Sequence, residues 1–233
     1  MAMNATQISA QQSFAHDTIL TDKGVVELWF LGHGTLMIKT NDLVIHVDPY
    51  SAVADYKDLP KADVILITHQ HGDHLDLQAL EQIRKNTTKI FCNALSADKL
   101  PGADVMANGD VRQVLDIKIE AVPAYNVLNE RSPGNPYHPK GEGNGYILTL
   151  GNRLVYVAGD TENIPEMARL HDIYVAFLPM NLPYTMTPEM VAEAVKLFYP
   201  RILYPYHYGN TNPELLLPLV DTNRTEVRIR NLK

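Results

Sequence analysis

Only one cysteine stands in the 233 residues of the chain. Cys92 therefore has no intrachain disulfide partner, and its apolar setting in Lys89-Ile90-Phe91-Cys92 is that of a buried structural thiol. Long apolar runs are also missing, since none approaches the roughly 20 residues that a bilayer-crossing helix needs. The opening from Met1 to His16 lacks the apolar centre of a signal peptide, so residues 1–23 are expected to be a polar tail and the protein to be cytoplasmic. Basic excess is absent too. A formal net charge of −7 argues against a broad nucleic-acid footprint, so nucleic acid is not the expected partner, and no membrane is expected. No internal repeat or linker divides residues 24–233, which are expected to form one domain. With 45% hydrophobic and 20% charged residues they can build a substantial core.

What is present is concentrated in Thr68-His69-Gln70-His71-Gly72-Asp73-His74-Leu75-Asp76. Upstream, Asp63 to Thr68 is short, β-branched and nearly free of charge, which reads as a buried strand. Downstream, Asp76 can cap a helix whose apolar positions Leu77, Leu80 and Ile83 recur at helical spacing, with Glu81 and Lys85 paired across one turn. The histidines thus sit on a strand-to-helix loop. Alternate positions of an extended backbone share a side, so His69 and His71 can converge on one ion. Gly72 then lets the chain turn, and Asp73 and His74 can reach a second. Packing several imidazoles together as mere surface gains nothing, whereas neutral imidazole and carboxylate suit zinc, manganese or iron.

Short strand candidates cover Val25–Leu31, Leu36–Ile38 and Leu43–Val47, a meander that suggests an antiparallel start to a sheet. His33 and Asp48, at the turns, serve either as turn residues or as groups behind the metal ligands, the carboxylate orienting a metal-bound imidazole through its other ring nitrogen. Tyr125 to Gly145 reads as a long loop, of the kind that is functional or disordered. His138 lies in it, as a surface residue or as a ligand folded back to the body. Two further strands deliver polar residues to their ends: Arg153 to Asp160, where Asp160 is a cap or a ligand, and Ile202 to His207. Strand runs flanked by helical segments fit a layered α/β protein whose sheets pack face to face with helices outside. Thr187 and Pro188 start a helix with Val191, Ala194, Val195 and Phe198 as its core stripe. His46 is only a residue on a sheet face.

In order and spacing these pieces resemble the metallo-β-lactamase-fold hydrolases. Gly32-His33-Gly34, Val47-Asp48-Pro49, the H-x-H-x-D-H run, Gly159-Asp160-Thr161, Leu178-Pro179-Met180-Asn181 with Thr185-Met186, and Pro205-Tyr206-His207-Tyr208-Gly209 narrow the likeness to the group that includes ascorbate-6-phosphate lactonase. The resemblance implies a four-layer αββα sandwich, α/β in class, with two divalent transition-metal ions, zinc first among them. His69 and His71 would hold one ion, Asp73, His74 and His207 the other, and Asp160 would bridge. Many members carry a histidine where this chain has Tyr125, which makes His138 the expected replacement ligand. The implied reaction is hydrolysis of a lactone, ester-like or phosphoester bond of a small-molecule substrate by a metal-activated hydroxide, with Asp73 accepting or relaying its proton. A phosphodiesterase or nuclease on the same centre, and a non-catalytic metal-binding regulator, are the alternatives.

Overall fold

The computed structural model describes residues 12–233. Two sheets of the same plan face each other. The first runs in chain order through β1 (His16–Thr21), β2 (Gly24–Gly32), β3 (Thr35–Lys39), β4 (Val44–Val47), β5 (Val64–Leu66), β6 (Lys89–Cys92) and β7 (Asp104–Val105). Its strands are antiparallel as far as β4 and parallel beyond. Between β5 and β7 lie two helices, α1 (Leu77–Ile83) and α2 (Ala94–Ala97).

The second half of the chain supplies β8 (Val111–Val114), β9 (Ile117–Ala124), a small hairpin of β10 (Glu130–Ser132) and β11 (Asn135–Pro136), then β12 (Gly143–Leu150), β13 (Arg153–Val157), β14 (Ile173–Pro179), helix α3 (Pro188–Phe198), β15 (Ile202–Tyr206) and β16 (Glu226–Val227). Its sheet has the order β16-β15-β14-β13-β12-β9-β8, antiparallel from β8 to β13 and parallel from β13 to β16. Parallel neighbours need a crossover, and the crossovers carry the helices and the polar loops.

Alternation along the strands assigns the layers. In β3 and β5, Leu36, Ile38, Val64 and Leu66 join the core between the sheets, while Met37, Ile65 and Ile67 pack outward with Leu75, Leu80 and Ile83 around α1. This is the period-two pattern of a sheet buried on both faces. From the other half, Phe177 and Tyr204 stack at 5.0 Å, and Phe30 of β2 meets Tyr204 at 5.1 Å, tying the two sheets together. Asp76 caps α1 by accepting from the amides of Gln78 and Ala79, and Thr187 caps α3 through the Met190 amide. These features are those of the expected αββα sandwich.

Two local expectations fail. Residues 1–11 lie outside the described set, but the rest of the segment expected as a tail is not one. His16–Thr21 pairs with β2 along its whole length. Asp17 accepts hydrogen bonds from Tyr204 Oη at 2.6 Å and Arg230 Nη2 at 2.7 Å, and Ile19 is buried, so the folded unit begins before residue 24. Alternation over so few residues is too weak a signal to see in the sequence. Glu81 and Lys85 are also not paired, because α1 ends at Ile83. Glu81 instead meets Arg84 at 2.9 Å, and Lys85 reaches Asp63 at 2.6 Å.

Candidate metal centre

The histidine loop follows β5, Asp48 follows β4, Asp160 lies beyond β13 and His207 follows β15, so all leave the carboxyl ends of strands at one edge of the sandwich. That edge is where crossover loops open a crevice in sheets of this kind. The backbone is bent to reach it. His33, Asp48 and His207 have φ of 54°, 44° and 46°, left-handed values that residues with a Cβ rarely adopt and that cost roughly 1–3 kcal/mol each. Gly34 has no such φ but a different constraint. A Cβ there would stand 3.0 Å from His74 Cε1 and 3.3 Å from His207 Cδ2, so two imidazoles use the space that a side chain would take.

The side chains converge in two groups that share one carboxylate. His69, His71 and His138 lie together, as do His33, Asp73, His74 and His207. Asp160 Oδ2 stands 3.3 Å from His138 Nε2, 3.6 Å from both His74 Nε2 and His207 Nε2, and 3.9 Å from His69 Nε2. Asp73 Oδ2 is 2.9 Å from His33 Nε2, 3.7 Å from His207 Nε2 and 3.8 Å from His74 Nε2. All seven residues expected as ligands are therefore brought together, with His33 closer in than a purely outer group. Tyr125 stands apart. Its hydroxyl donates to Glu166 Oε2 at 2.8 Å and accepts from Lys140 Nζ at 3.1 Å, not from the imidazoles.

Three of the outer ring nitrogens are held by acceptors, which turns the opposite nitrogen of each of those rings inward. His74 Nδ1 donates to Asp48 Oδ2 at 2.8 Å. His69 Nδ1 donates to Thr68 Oγ1 at 3.0 Å, whose own proton goes to Asp48 Oδ2 at 2.6 Å. His138 Nδ1 donates to Asn126 Oδ1 at 2.8 Å. With those protons outside, the Nε2 atoms of His69 and His138 present lone pairs to the interior, and Nε2 of His74 is the inward atom of its ring. His69 Nε2 and His71 Nδ1 are then 3.0 Å apart, and His74 Nε2 and His207 Nε2 3.1 Å.

Lone pairs at that spacing repel unless a proton or cation lies between them. Ligand atoms about 2.1 Å from a tetrahedral ion stand roughly 3.4 Å from one another, close to the separations here. In addition, Asp160 Oδ1 is buried with no hydrogen-bond partner, a cost that a cation would remove. The donor set fits divalent transition-metal ions.

Electrostatics point the same way. Burial, then the His74 charge, holds His69 well below the ordinary histidine value. Burial and His138 bring His71 down to about 4. Both are neutral and ready as ligands at pH 7. His74 goes the other way, to about 9, because Asp160 and Asp48 outweigh its burial. Asp160 and Asp73 are held below the usual carboxylate range against their own burial, Asp160 by His207 and His74, and Asp73 by hydrogen bonds with His207 and His33.

The residues behind His138 are ones that sequence reasoning does not single out. Glu162 is fully buried. Its Oε1 accepts from Asn129 N at 2.7 Å and Asn126 Nδ2 at 3.1 Å, and its Oε2 from Leu128 N at 2.7 Å and Val127 N at 2.9 Å. Asn126 in turn accepts from both the backbone N and Nδ1 of His138. One carboxylate thus gathers the start of the long loop and fixes the amide that orients the histidine. The only sequence signal was a glutamate two positions after Asp160.

A two-sheet sandwich that collects histidines and aspartates at the carboxyl ends of its strands is the architecture of the metallo-β-lactamase fold. A model of the beta-lactamase superfamily domain matches residues 27–207. A UPF0173 metal-dependent hydrolase of Thermococcus kodakarensis is 31% identical over 202 residues, 81% of this chain and 87% of the relative. Among solved structures, a Parabacteroides distasonis protein is 48% identical with a TM-score of 0.91, covering 95% of this chain and 100% of the other. Igni18, a metallo hydrolase of Ignicoccus hospitalis, is 26% identical with a TM-score of 0.69, covering 89% and 95%. The chain belongs to the β-lactamase superfamily and, within it, to the UPF0173 family of metal-dependent hydrolases.

Proposed function

We propose that the protein hydrolyses a lactone, ester-like or phosphoester bond of a small molecule, using two divalent transition-metal ions, with zinc the first to test. His69, His71 and His138 would hold one ion and Asp73, His74 and His207 the other, with Asp160 placed to serve both. The observation that carries this reading is the position of Asp160 Oδ2, within 4 Å of Nε2 on four histidines drawn from both groups. Bound metal pairs of this kind acidify water, polarise the oxygen of the bond to be cleaved and stabilise charge that develops on attack.

The protein's own contribution is placement and proton handling. Asp48 and Asn126 each hold one ring proton on the outer nitrogen of His74 and His138, which leaves Nε2 of each ring as the atom that would meet an ion. The two aspartates differ in access, Asp160 being 5% exposed and Asp73 38%. Asp73 is the carboxylate on the open side, and in this reading it takes the proton of the attacking water, with His33 steadying its Oδ2. His74 must give up the proton it holds near neutrality when its ion binds, so loading releases protons.

The test is metal analysis with turnover on the same sample. Zinc-loaded protein is expected to hold two ions per chain and to cleave members of a panel of lactones, aryl esters and phosphodiesters. Asp73→Asn, which keeps the shape but removes the proton acceptor, should lower turnover at least about a hundredfold at matched metal content. One tightly held ion in the wild type, or an Asp73→Asn variant with full turnover, refutes the assignment.

A further inference from the structure

The two nitrogens of His71 face different neighbours. Nδ1 lies inside the cluster, 3.0 Å from His69 Nε2, and Nε2 lies 3.1 Å from Nη2 of Arg131 in β10. A guanidinium has donors only. The Arg131 contact is therefore a hydrogen bond only when His71 carries its proton on Nδ1 and accepts at Nε2. That tautomer puts a proton where a metal ion requires a lone pair. In the other tautomer Nδ1 is free, but Nε2 carries the proton and opposes a donor with a donor. The Arg131–His71 hydrogen bond and a metal ion on His71 Nδ1 exclude each other.

Once released, Arg131 has little else to hold. Among the described residues no carboxylate pairs with it, and its other contact is with the Tyr137 ring, whose centroid is 5.4 Å from the guanidinium carbon. Tyr137 meets Tyr184 edge to face at 5.0 Å. Hydrogen bonds from the side chains of Asn126 and Asn129 to the carbonyls of Tyr184 and Thr185 hold that neighbouring loop against this one. Exposed Leu128, Leu182 and Tyr184 leave apolar surface on the same two loops. The result is an unpaired, planar cation beside the metal cluster, flanked by apolar surface, in a chain of net charge −7.

We propose that Arg131 is an anion anchor that metal loading uncovers, and that it holds a carboxylate or phosphate group of the substrate beside the bond to be cleaved. Planar guanidinium suits both oxyanions, which it can bind in bidentate fashion. The word substrate rests on the hydrolase reading; the anion site and its release do not.

Three measurements on the full chain test this. In metal-free protein, nitrogen-15 NMR should show His71 Nε2 unprotonated, becoming protonated on zinc loading; a protonated Nε2 before zinc is added overturns the release step. Calorimetry of zinc-loaded protein with inorganic phosphate and, separately, acetate should show affinity falling at least about tenfold in Arg131→Gln, with Arg131→Lys in between. The oxyanion whose affinity falls more identifies the group recognised, and equal affinities in wild type and Arg131→Gln for both ions overturn the anchor. Finally, two aryl esters alike except for a carboxylate in one and its methyl ester in the other should differ in kcat/KM for the wild type. That preference should shrink at least about tenfold in Arg131→Gln, chiefly through KM. Hydrolysis of both esters with an unchanged preference overturns the anchor and leaves the hydrolase reading standing. No hydrolysis by zinc-loaded wild type, with oxyanion affinity still dependent on Arg131, overturns the hydrolase reading and leaves the anchor standing.

Discussion

Glu162→Gln is a small change with a large expected effect. The carboxylate accepts four N–H groups, two at each oxygen. Glutamine keeps one acceptor oxygen and turns the other position into a donor, so whichever way the amide is turned, two of the four N–H groups face an NH2. Each buried donor left without its partner costs about 1–3 kcal/mol. Val127 and Leu128 are partly exposed, and water can reach their side of the loop, which favours the lower part of that range. Two lost bonds therefore predict a destabilisation of about 2–4 kcal/mol.

The second consequence is functional. If the Glu162 bond to Asn126 Nδ2 is lost, the Asn126 amide that fixes the His138 tautomer is no longer held on that side. Loss of groups that orient a ligand typically costs 10–100-fold in metal affinity. Chelator competition should show that loss at one of two zinc ions, with the other within about threefold of wild type, and denaturant unfolding reports the stability. Glu162→Asp, which keeps both oxygens, should recover part of each. A variant destabilised as expected but with both zinc affinities unchanged would refute the idea that the loop clamp positions His138.

His138→Ala should lower the affinity of one zinc ion and turnover together, whereas Tyr125→Phe should leave zinc stoichiometry at the wild-type value and remove only the bonds with Glu166 and Lys140; metal titration of both variants decides between the two residues. His46 gives a pH test remote from the cluster. It is buried, donates from Nε2 to the Pro60 carbonyl at 3.0 Å, and burial lowers it to about 4 from 6.5. Between those values the unfolded imidazole binds more protons than the folded one, so its contribution is complete above about pH 6.5 and is lost as pH falls toward 4, by about 3 kcal/mol in all. Denaturant unfolding of wild type and His46→Gln across pH 4–7 should show the wild type losing about 3 kcal/mol more than the variant on acidification; parallel stability curves would refute it.

Much of the site was legible in the sequence because its chemistry is local. Three histidines and an aspartate within His69–His74 sit on a turn whose flanking strand and capped helix can be read from periodicity, so a candidate metal-binding cluster needed no tertiary information. Strand-end Asp160 and His207 were legible for a similar reason, since a polar residue closing an apolar run has few bland uses. The sheets were legible by their alternating and fully apolar runs. β1 was not, because only Ile19 of its six residues is buried and the strand is recruited by Asp17 reaching Arg230, more than 200 positions away.

What only the tertiary structure decided are relations between distant segments. The alternation rule allowed His69 and His71 to share a side, and imidazole chemistry favoured His138 over Tyr125, but neither could say where the two residues lie. Those positions are set by the direction of the chain after β9, where Tyr125 is drawn to Lys140 and Glu166 while Glu162 and Asn126 turn the loop and bring His138 beside Asp160. Nor can the sequence tell which nitrogen of each ring looks inward, since that is set by acceptors as far off as Asp48, or that Arg131 lies against His71. Local pattern determines which side chains are able to bind a metal. Packing of the two sheets determines which of them meet, and with which protons, because hydrogen-bond direction exists only once both partners are in place.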